Sequence, residues 1–331
     1  MEILLAIPLF LSFFITFFSL PKWIKRTKKA GLTGKDINKL DSKEVPEAGG
    51  VVVLMGFITG ILAYIAIKTF HFESSTNIIE IFAGLGVLLI TAFVGFSDDI
   101  LGWKIGLTRR VRIIFLLFAS IPLIVINAGG AIARGDFGLV YLVFLIPIGV
   151  AGATATFNFL AGYNGLEASQ GIIVLSALSI VTYFTGDRWL SIIGFSMVAS
   201  LFAFYIFNKY PAKVFPGDVM TYPVGALIAI MAILGGIEKI AIFFFIPYIL
   251  ETVLKLRGKL KKESFARVNG DGSLEKPYDK IYGLEHLAIF VLKKIKPSKK
   301  VYEKEVVYLI NFFQILIIIA GVVIFRSEIF L

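Results

Sequence analysis

Five short stretches carry polar side chains that are out of place in an otherwise apolar chain. Asp98 and Asp99 are adjacent carboxylates at the end of a hydrophobic block. Asn158-Phe-Leu-Ala-Gly-Tyr-Asn164-Gly-Leu-Glu167 sets two amides and a carboxylate around two glycines. Phe215-Pro-Gly-Asp218 places a ring, a tight turn and a carboxylate just before another block, and Pro46-Glu47-Ala-Gly49-Gly50 brings a glutamate and a Gly pair to a third. Arg109, Arg110 and Arg112 precede a fourth. Two neighbouring carboxylates repel, and a hard divalent cation between them and a phosphate relieves that repulsion. Successive helical positions point about 100° apart, so one of Asp98 and Asp99 can face a metal while the other faces something else. Glycine turns expose backbone N–H groups, and guanidinium forks match phosphate oxygens. Together these types point to metal-assisted chemistry on phosphates. Taken singly each has a plainer reading: Asp218 as a helix N-cap, Gly49-Gly50 as a helix start, the arginines as anchors beside a span, any one acid as a solvated loop residue.

What could hold such groups in place follows from composition. Of 331 residues, 57% are hydrophobic and 17% charged, where a soluble domain carries about 25% charged residues. Apolar blocks of roughly 17 to 20 residues recur, the length of a helix that crosses a bilayer. The spans read as Ile3–Leu20, Gly49–Ile67, Ile78–Phe96, Val111–Asn127, Leu139–Phe157, Ala168–Thr185, Trp189–Phe207, Val219–Leu234, Ile237–Leu254 and Val306–Phe325. The expected fold is therefore all-α, a polytopic membrane bundle of about ten helices forming one integral domain over residues 1–331. Residues 255–304 make a polar excursion within it. In that excursion Asn269-Gly-Asp-Gly272 reads as a hairpin turn, and Leu284, Leu287, Ala288, Val291 and Leu292 share a helical face. That face suits an interfacial helix or, equally, a helix packed on the hairpin.

Lysine and arginine favour the cytoplasmic side of a membrane. The loops after spans one, three, five, seven and nine carry eight, four, none, two and fourteen of them, against five on the other side. Both termini are thus expected outside, with Ile3–Leu20 an uncleaved first span. This orientation gathers Asp98, Asp99, Asn158, Asn164, Asp218 and the arginines on the cytoplasmic face. Acids next to hydrocarbon are costly unless paired, hydrated or bound to a cation. Agreement among several spans therefore argues against coincidence. The net charge of +10 is explained by these flanking residues, without nucleic acid as a partner. With no Cys and two well-separated histidines, thiolate chemistry is excluded and any metal falls to oxygen donors, as Mg²⁺ requires. A transporter would place charges at mid-membrane, which these spans lack. A passive scaffold gives no reason for the acids and amides to share a face.

The motifs resemble the polyprenyl-phosphate N-acetylhexosamine-1-phosphate transferases, above all the eukaryotic and archaeal branch that acts on UDP-GlcNAc and dolichyl phosphate. The stretches that carry the likeness are Lys35-Asp-Ile-Asn-Lys39, Pro46-Glu-Ala-Gly-Gly50, Gly95-Phe-Ser-Asp-Asp-Ile-Leu101, Asn158 to Ala168, Val214-Phe-Pro-Gly-Asp218 and Arg267-Val-Asn269, in order along the chain. The resemblance implies transfer of GlcNAc-1-phosphate from UDP-GlcNAc to a polyprenyl phosphate within membrane lipid, with release of UMP. Another UDP-N-acetylhexosamine, undecaprenyl phosphate, or assembly as a homodimer remains compatible with it. It implies Asp218 and Asn158 as Mg²⁺ ligands, with Mn²⁺ as a substitute, and Asp98, Asp99 and Arg112 as the catalytic group, with Arg109 or Arg110 as stand-ins for Arg112. Glu47, Gly162, Asn164, Glu167 and Phe215 fall to the nucleotide sugar. The family's basic motif in the last loop reads Lys261-Lys-Glu-Ser264 here, leaving Lys262 and Arg267 to meet the diphosphate and sugar.

Overall fold

A chain this apolar has to close its backbone hydrogen bonds within itself, and helices do so from end to end. The computed structural model describes residues 2–133 and 135–330. In chain order it runs α1 Glu2–Ala30, β1 Thr33–Lys35, β2 Glu44–Pro46, α2 Gly50–Phe70, α3 Ile78–Ile105, α4 Arg109–Ala119, α5 Ile121–Ala133 and α6 Gly135–Val140. A wider turn over Tyr141–Leu145 leads into α7 Ile146–Phe157, α8 Leu166–Phe184, α9 Arg188–Asn208, α10 Asp218–Leu234, α11 Glu238–Phe244 and α12 Ile246–Arg257. The remainder is β3 Arg267–Val268, β4 Leu274–Glu275, α13 Leu284–Ile295, α14 Glu303–Ile324 and α15 Arg326–Phe330.

Among the described residues eight helical stretches are long and apolar enough to cross a membrane, and α10 is a shorter apolar helix. The expected ninth span is present as two pieces, α11 and α12, broken at Phe245 just before Pro247. A proline ring removes one backbone donor and clashes with the preceding turn, which ends a helix there. The same cause divides the expected fourth span into α4 and α5 beside Pro122. The polytopic all-α architecture read from the sequence is thus borne out. The hairpin in the last loop is present as β3 paired antiparallel with β4. A second ribbon that the sequence reading missed joins β1 to β2, with Thr33 opposite Pro46. Helix α13 buries Leu284, Ala288 and Ile289 against protein and leaves Leu287 and Ile295 exposed, so much of its apolar face is covered by α12 and α14.

Burial sorts the helices into lipid-facing and central ones. Phe10, Phe14 and Phe18 stack along an exposed face of α1, and Phe312, Leu316, Ile319 and Val323 are exposed on α14. Helix α10 is buried all round from Val219 to Ala232, as a helix apolar on every face must be. It packs on α2, α3, α7, α8 and α9. Glycines make that close approach feasible: a methyl group on Gly225 would lie 2.6 Å from the Ala153 carbonyl oxygen of α7, and one on Gly50 would lie 2.5 Å from the Met220 nitrogen. Backbone cannot yield there as a flexible side chain would.

Gly225→Ala should therefore lower stability by about 1–3 kcal/mol through overpacking. Gly149→Ala on α7, where an added methyl meets nothing within 4 Å, should leave it unchanged or slightly higher. Thermal unfolding of the two variants in one detergent compares them directly.

Candidate active site

The turn Phe215-Pro-Gly217 leads into α10, and Gly217 takes a left-handed φ of 72°. A side chain on Gly217 would strike the Asp99 carboxylate, because Asp99 reaches from α3 to close the start of α10. Its Oδ1 accepts the Asp218 N–H at 2.8 Å and its Oδ2 accepts the Val219 N–H at 3.0 Å. The first turn of a helix has unsatisfied donors and a positive dipole end. Asp99 answers both from another helix. This capping role was not read from the sequence, where Asp218 itself was the candidate cap.

Asp98 points to the other side of α3, as the 100° step requires. Its Oδ1 accepts the Leu107 N–H at 2.7 Å, and its Oδ2 lies 2.6 Å from Arg112 Nε. That Nε donates instead to the Leu107 carbonyl at 3.0 Å, so Asp98 Oδ2 is buried without a hydrogen bond. Arg112 Nη1 also stands 3.9 Å from Asp218 Oδ2. Asn158, at the end of α7, accepts a 2.9 Å hydrogen bond from the Thr221 hydroxyl on α10. Four residues from three helices are thereby joined: Asp98 and Asp99 of α3, Asn158 of α7 and Asp218 of α10. Of the three arginines, Arg112 is the one in contact with the acids. Arg109 donates to the Leu260 carbonyl at 2.6 Å, and Arg110 is exposed.

For a metal, no three Asp, Glu or His side chains converge as a ready binding group among the described residues. The oxygen donors that remain are the Asp218 carboxylate and the Asn158 amide oxygen, next to the Asp98 oxygen that is ion-paired with Arg112. This hard-donor set suits Mg²⁺, with phosphate oxygens completing it.

Pro46–Gly50 is fixed beside α10 through backbone. Phe215 N–H donates to the Pro46 carbonyl at 2.7 Å, Gly49 N–H to the Phe215 carbonyl at 2.9 Å, and Gly50 N–H to the Pro216 carbonyl at 2.9 Å. Burial and the neighbouring Asp218 charge push the Glu47 carboxyl above the usual carboxylate range. The Phe215 ring is half-buried. The loop from Asn158 to Gly165 is held from several directions. Gly162, with φ of 98°, donates to Glu167 Oε1 at 2.8 Å and accepts from Asn38 Nδ2 at 2.9 Å. The Asn164 amide uses both ends within the protein: Nδ2 reaches Asp36 at 3.3 Å, and Oδ1 accepts the Ala212 N–H at 2.7 Å. Its backbone N–H donates to Glu303 Oε1 at 2.7 Å, and Lys39 bridges Asp36, Asn164 and Glu303. Asp36, Lys39 and Glu303 were not chosen from the sequence as site residues, though Asp36 and Lys39 lie inside a motif quoted for the family.

A cleft of about 410 Å³ opens beside these groups. Its lining includes Arg112, Asn158, Gly162 and Tyr222, the charged Lys255, Lys262 and Glu263 with Ser264, and the apolar Ile113 and Leu116, while Asp98, Asp99 and Asp218 stand behind Arg112 and Asn158 and are not part of it. The Lys262 ammonium lies 4.6 Å from the centre of the Tyr278 ring, a cation–π contact. Arg267 is exposed on β3 opposite Glu275 and is absent from the cleft lining.

Residues 81–236 match the model of glycosyl transferase family 4. A provisionally named UDP-N-acetylglucosamine–dolichyl-phosphate N-acetylglucosaminephosphotransferase of Saccharolobus solfataricus is 39% identical over 285 residues, covering 83% of this chain and 85% of the relative. The chain belongs to glycosyl transferase family 4. Within that family, the UDP-N-acetylglucosamine–dolichyl-phosphate N-acetylglucosaminephosphotransferase of Dictyostelium discoideum is 28% identical over 280 residues, 71% of this chain and 67% of its own length. A phospho-N-acetylmuramoyl-pentapeptide-transferase of Streptococcus pneumoniae is 28% identical over 255 residues, 73% and 76% of the two chains. The family 4 match spans α3 to α10, where Asp98, Asp99, Asn158 and Asp218 meet. The likeness read from the motifs agrees with it.

Asp99→Asn replaces one acceptor by a donor facing a backbone N–H. It should cost about 1.5–3 kcal/mol of stability, the range for hydrogen bonds to a charged group, whereas Asp218→Asn should cost much less. Melting temperatures in detergent separate the two, and equal losses would contradict the cap.

Proposed function

We propose that the protein transfers GlcNAc-1-phosphate from UDP-GlcNAc to a dolichyl-type polyprenyl phosphate and releases UMP, with its active end facing the cytoplasm. The observation that carries this reading is the meeting of Asp98, Asp99, Asn158, Asp218 and Arg112 at the ends of α3, α4, α7 and α10, with Arg112 and Asn158 also lining a cleft that holds both charged groups and the apolar Ile113 and Leu116. A water-soluble nucleotide sugar and a bilayer-bound lipid can meet only where those two environments meet. The names of the relatives above supply the substrates.

In this reading an oxygen of the lipid phosphate attacks the β-phosphorus of UDP-GlcNAc. The bond from that phosphorus to the bridging oxygen breaks, and its electron pair leaves with UMP. A phosphate monoester has a second pKa of about 6 and is largely dianionic near neutrality, so no strong base is needed. The main barrier is the meeting of two anions, and positioning with charge neutralisation is the chief protein contribution in phosphoryl transfer. Arg112, oriented by Leu107 and Asp98, offers its outer N–H groups to the phosphates. Asp99 fixes the direction of Asp218 by holding the backbone on which it is carried. Mg²⁺ held by Asp218 and Asn158 would supply positive charge to the diphosphate. Glu47, Phe215 and the Gly162–Asn164 loop take the nucleotide sugar, with Asn164 acting through the shape of the loop and Glu167 holding Gly162. Lys262 meets the sugar side.

Purified protein incubated with sugar-labelled UDP-GlcNAc, Mg²⁺ and dolichyl phosphate should move label into the lipid phase, and EDTA should stop it. Asp218→Ala should reduce transfer about a thousandfold or more while keeping its melting temperature. Exchange of labelled UMP into UDP-GlcNAc without any lipid acceptor would count against direct attack.

The side of the membrane rests on the Lys and Arg bias between loops. The chain has no Cys, so single replacements report cleanly. Ser298→Cys in the long loop should react with an impermeant maleimide only from the cytoplasmic side, and Ser75→Cys only from the opposite side.

A further inference from the structure

Lys255 belongs to none of the motifs above, yet it lines the cleft from the last turn of α12. It is 8% exposed. Its ammonium reaches the Ser264 hydroxyl and stands 3.4 Å from Glu251 Oε1. An ammonium taken from water costs several kcal/mol unless it is paired and hydrogen-bonded, so its support matters. Glu251 is fully buried and is itself held in place, its Oε2 accepting the Leu284 N–H at 2.6 Å.

The groups behind this pair leave it as a single cation facing a single carboxylate. Glu285 and His286 are fully buried, and both Glu285 oxygens and His286 Nε2 have no hydrogen-bond partner. Burial, with the Glu251 charge beside it, pushes the Glu285 carboxyl well above the usual range. Burial, then the Lys255 charge, lowers His286 to about 4. Burial thus favours the uncharged form of each. Glu251 therefore pairs with Lys255 alone, and Ser264, whose carbonyl accepts from the Tyr163 hydroxyl at 3.4 Å, ties the ammonium to the cleft wall. An ammonium has three donors: one goes to the Ser264 hydroxyl, one faces Glu251 Oε1 in an ion pair without a hydrogen bond, and a third is left for a ligand.

Building on the proposed reaction, we infer that Lys255 is a binding residue for a phosphate group in the cleft, with Glu251 and Ser264 as positioning residues that aim its ammonium. The third donor meets a phosphoryl oxygen, on the nucleotide diphosphate or on the lipid phosphate. Arg112 and Lys255 then approach the phosphates from two different helices that line the cleft, α4 and α12.

The test compares wild type, Lys255→Met, Glu251→Gln, Ser264→Ala and the double variant K255M/E251Q in full-length protein. KM is measured separately for UDP-GlcNAc and for dolichyl phosphate, together with kcat, melting temperature and UDP binding by calorimetry. Lys255→Met should raise one KM at least tenfold. The double variant removes cation and carboxylate together, so its melting temperature should recover while its KM stays high. A rise for UDP-GlcNAc with weaker UDP binding assigns the ammonium to the diphosphate, and a rise for dolichyl phosphate alone assigns it to the lipid. Recovery of KM in the double variant would mean that Lys255 only neutralises Glu251, which overturns the inference. Should both Lys255 variants fail to fold, Ser264→Ala decides: a KM raised severalfold upholds the role and an unchanged KM refutes it. A wild type that neither binds UDP-GlcNAc nor turns it over would instead refute the proposed reaction.

Discussion

The site depends on one contact, the carboxylate of Asp99 against the first two N–H groups of α10. Helix α10 is buried from Val219 to Ala232, so the donors of its first turn call for an acceptor from the protein. A charged acceptor from α3 satisfies them and complements the positive end of the helix dipole. This contact sets the distance between α3 and α10, and with it the placement of Asp98 and Asp218, which flank it. Gly95 and Gly217 make it sterically feasible, since a side chain on Gly95 would strike the Asp218 carbonyl and one on Gly217 would strike Asp99 itself. The site chemistry and the packing of the bundle are thus two results of the same approach of backbones.

Much of the architecture was legible in the sequence, because helix length and hydrophobicity are local properties. The breaks were less so. Pro122 and Pro247 divide what hydropathy alone reads as continuous spans, since an averaged window does not register a single missing donor. The ribbon of β1 and β2 escaped because three-residue strands carry no periodicity. At the site, residue types were informative and roles were not. Asp98 and Asp99 were recognisable as an unusual pair, but which one caps α10 and which one meets Arg112 depends on the orientation of α3 against its neighbours. Asn164 was read as a contact for the nucleotide sugar, whereas its amide is taken up within the protein. Its partners Asp36, Ala212 and Glu303 come from three remote parts of the chain, and no local pattern announces them.

The lining of the cleft is mixed. Charged groups from α4, α12 and the last loop share it with Ile113 and Leu116, which sit on a helix whose remaining face is exposed and apolar. Exposed Ile114, Phe115 and Phe118 continue that surface along α4. An amphipathic ligand can therefore keep its head among polar groups without drawing its tail out of hydrocarbon, which would cost about 0.8 kcal/mol for each CH₂.

The link from Asn164 through Glu303 to Lys39 has a bearing on biogenesis. Lys39 lies near the beginning of the chain, Asn164 at its middle and Glu303 at the head of α14. When the earlier spans have already entered the bilayer, the loop around Gly162 still lacks the acid that anchors its backbone. That anchor arrives only with the start of α14, so the order of synthesis makes the Gly162 loop one of the last parts of the bundle to be fixed.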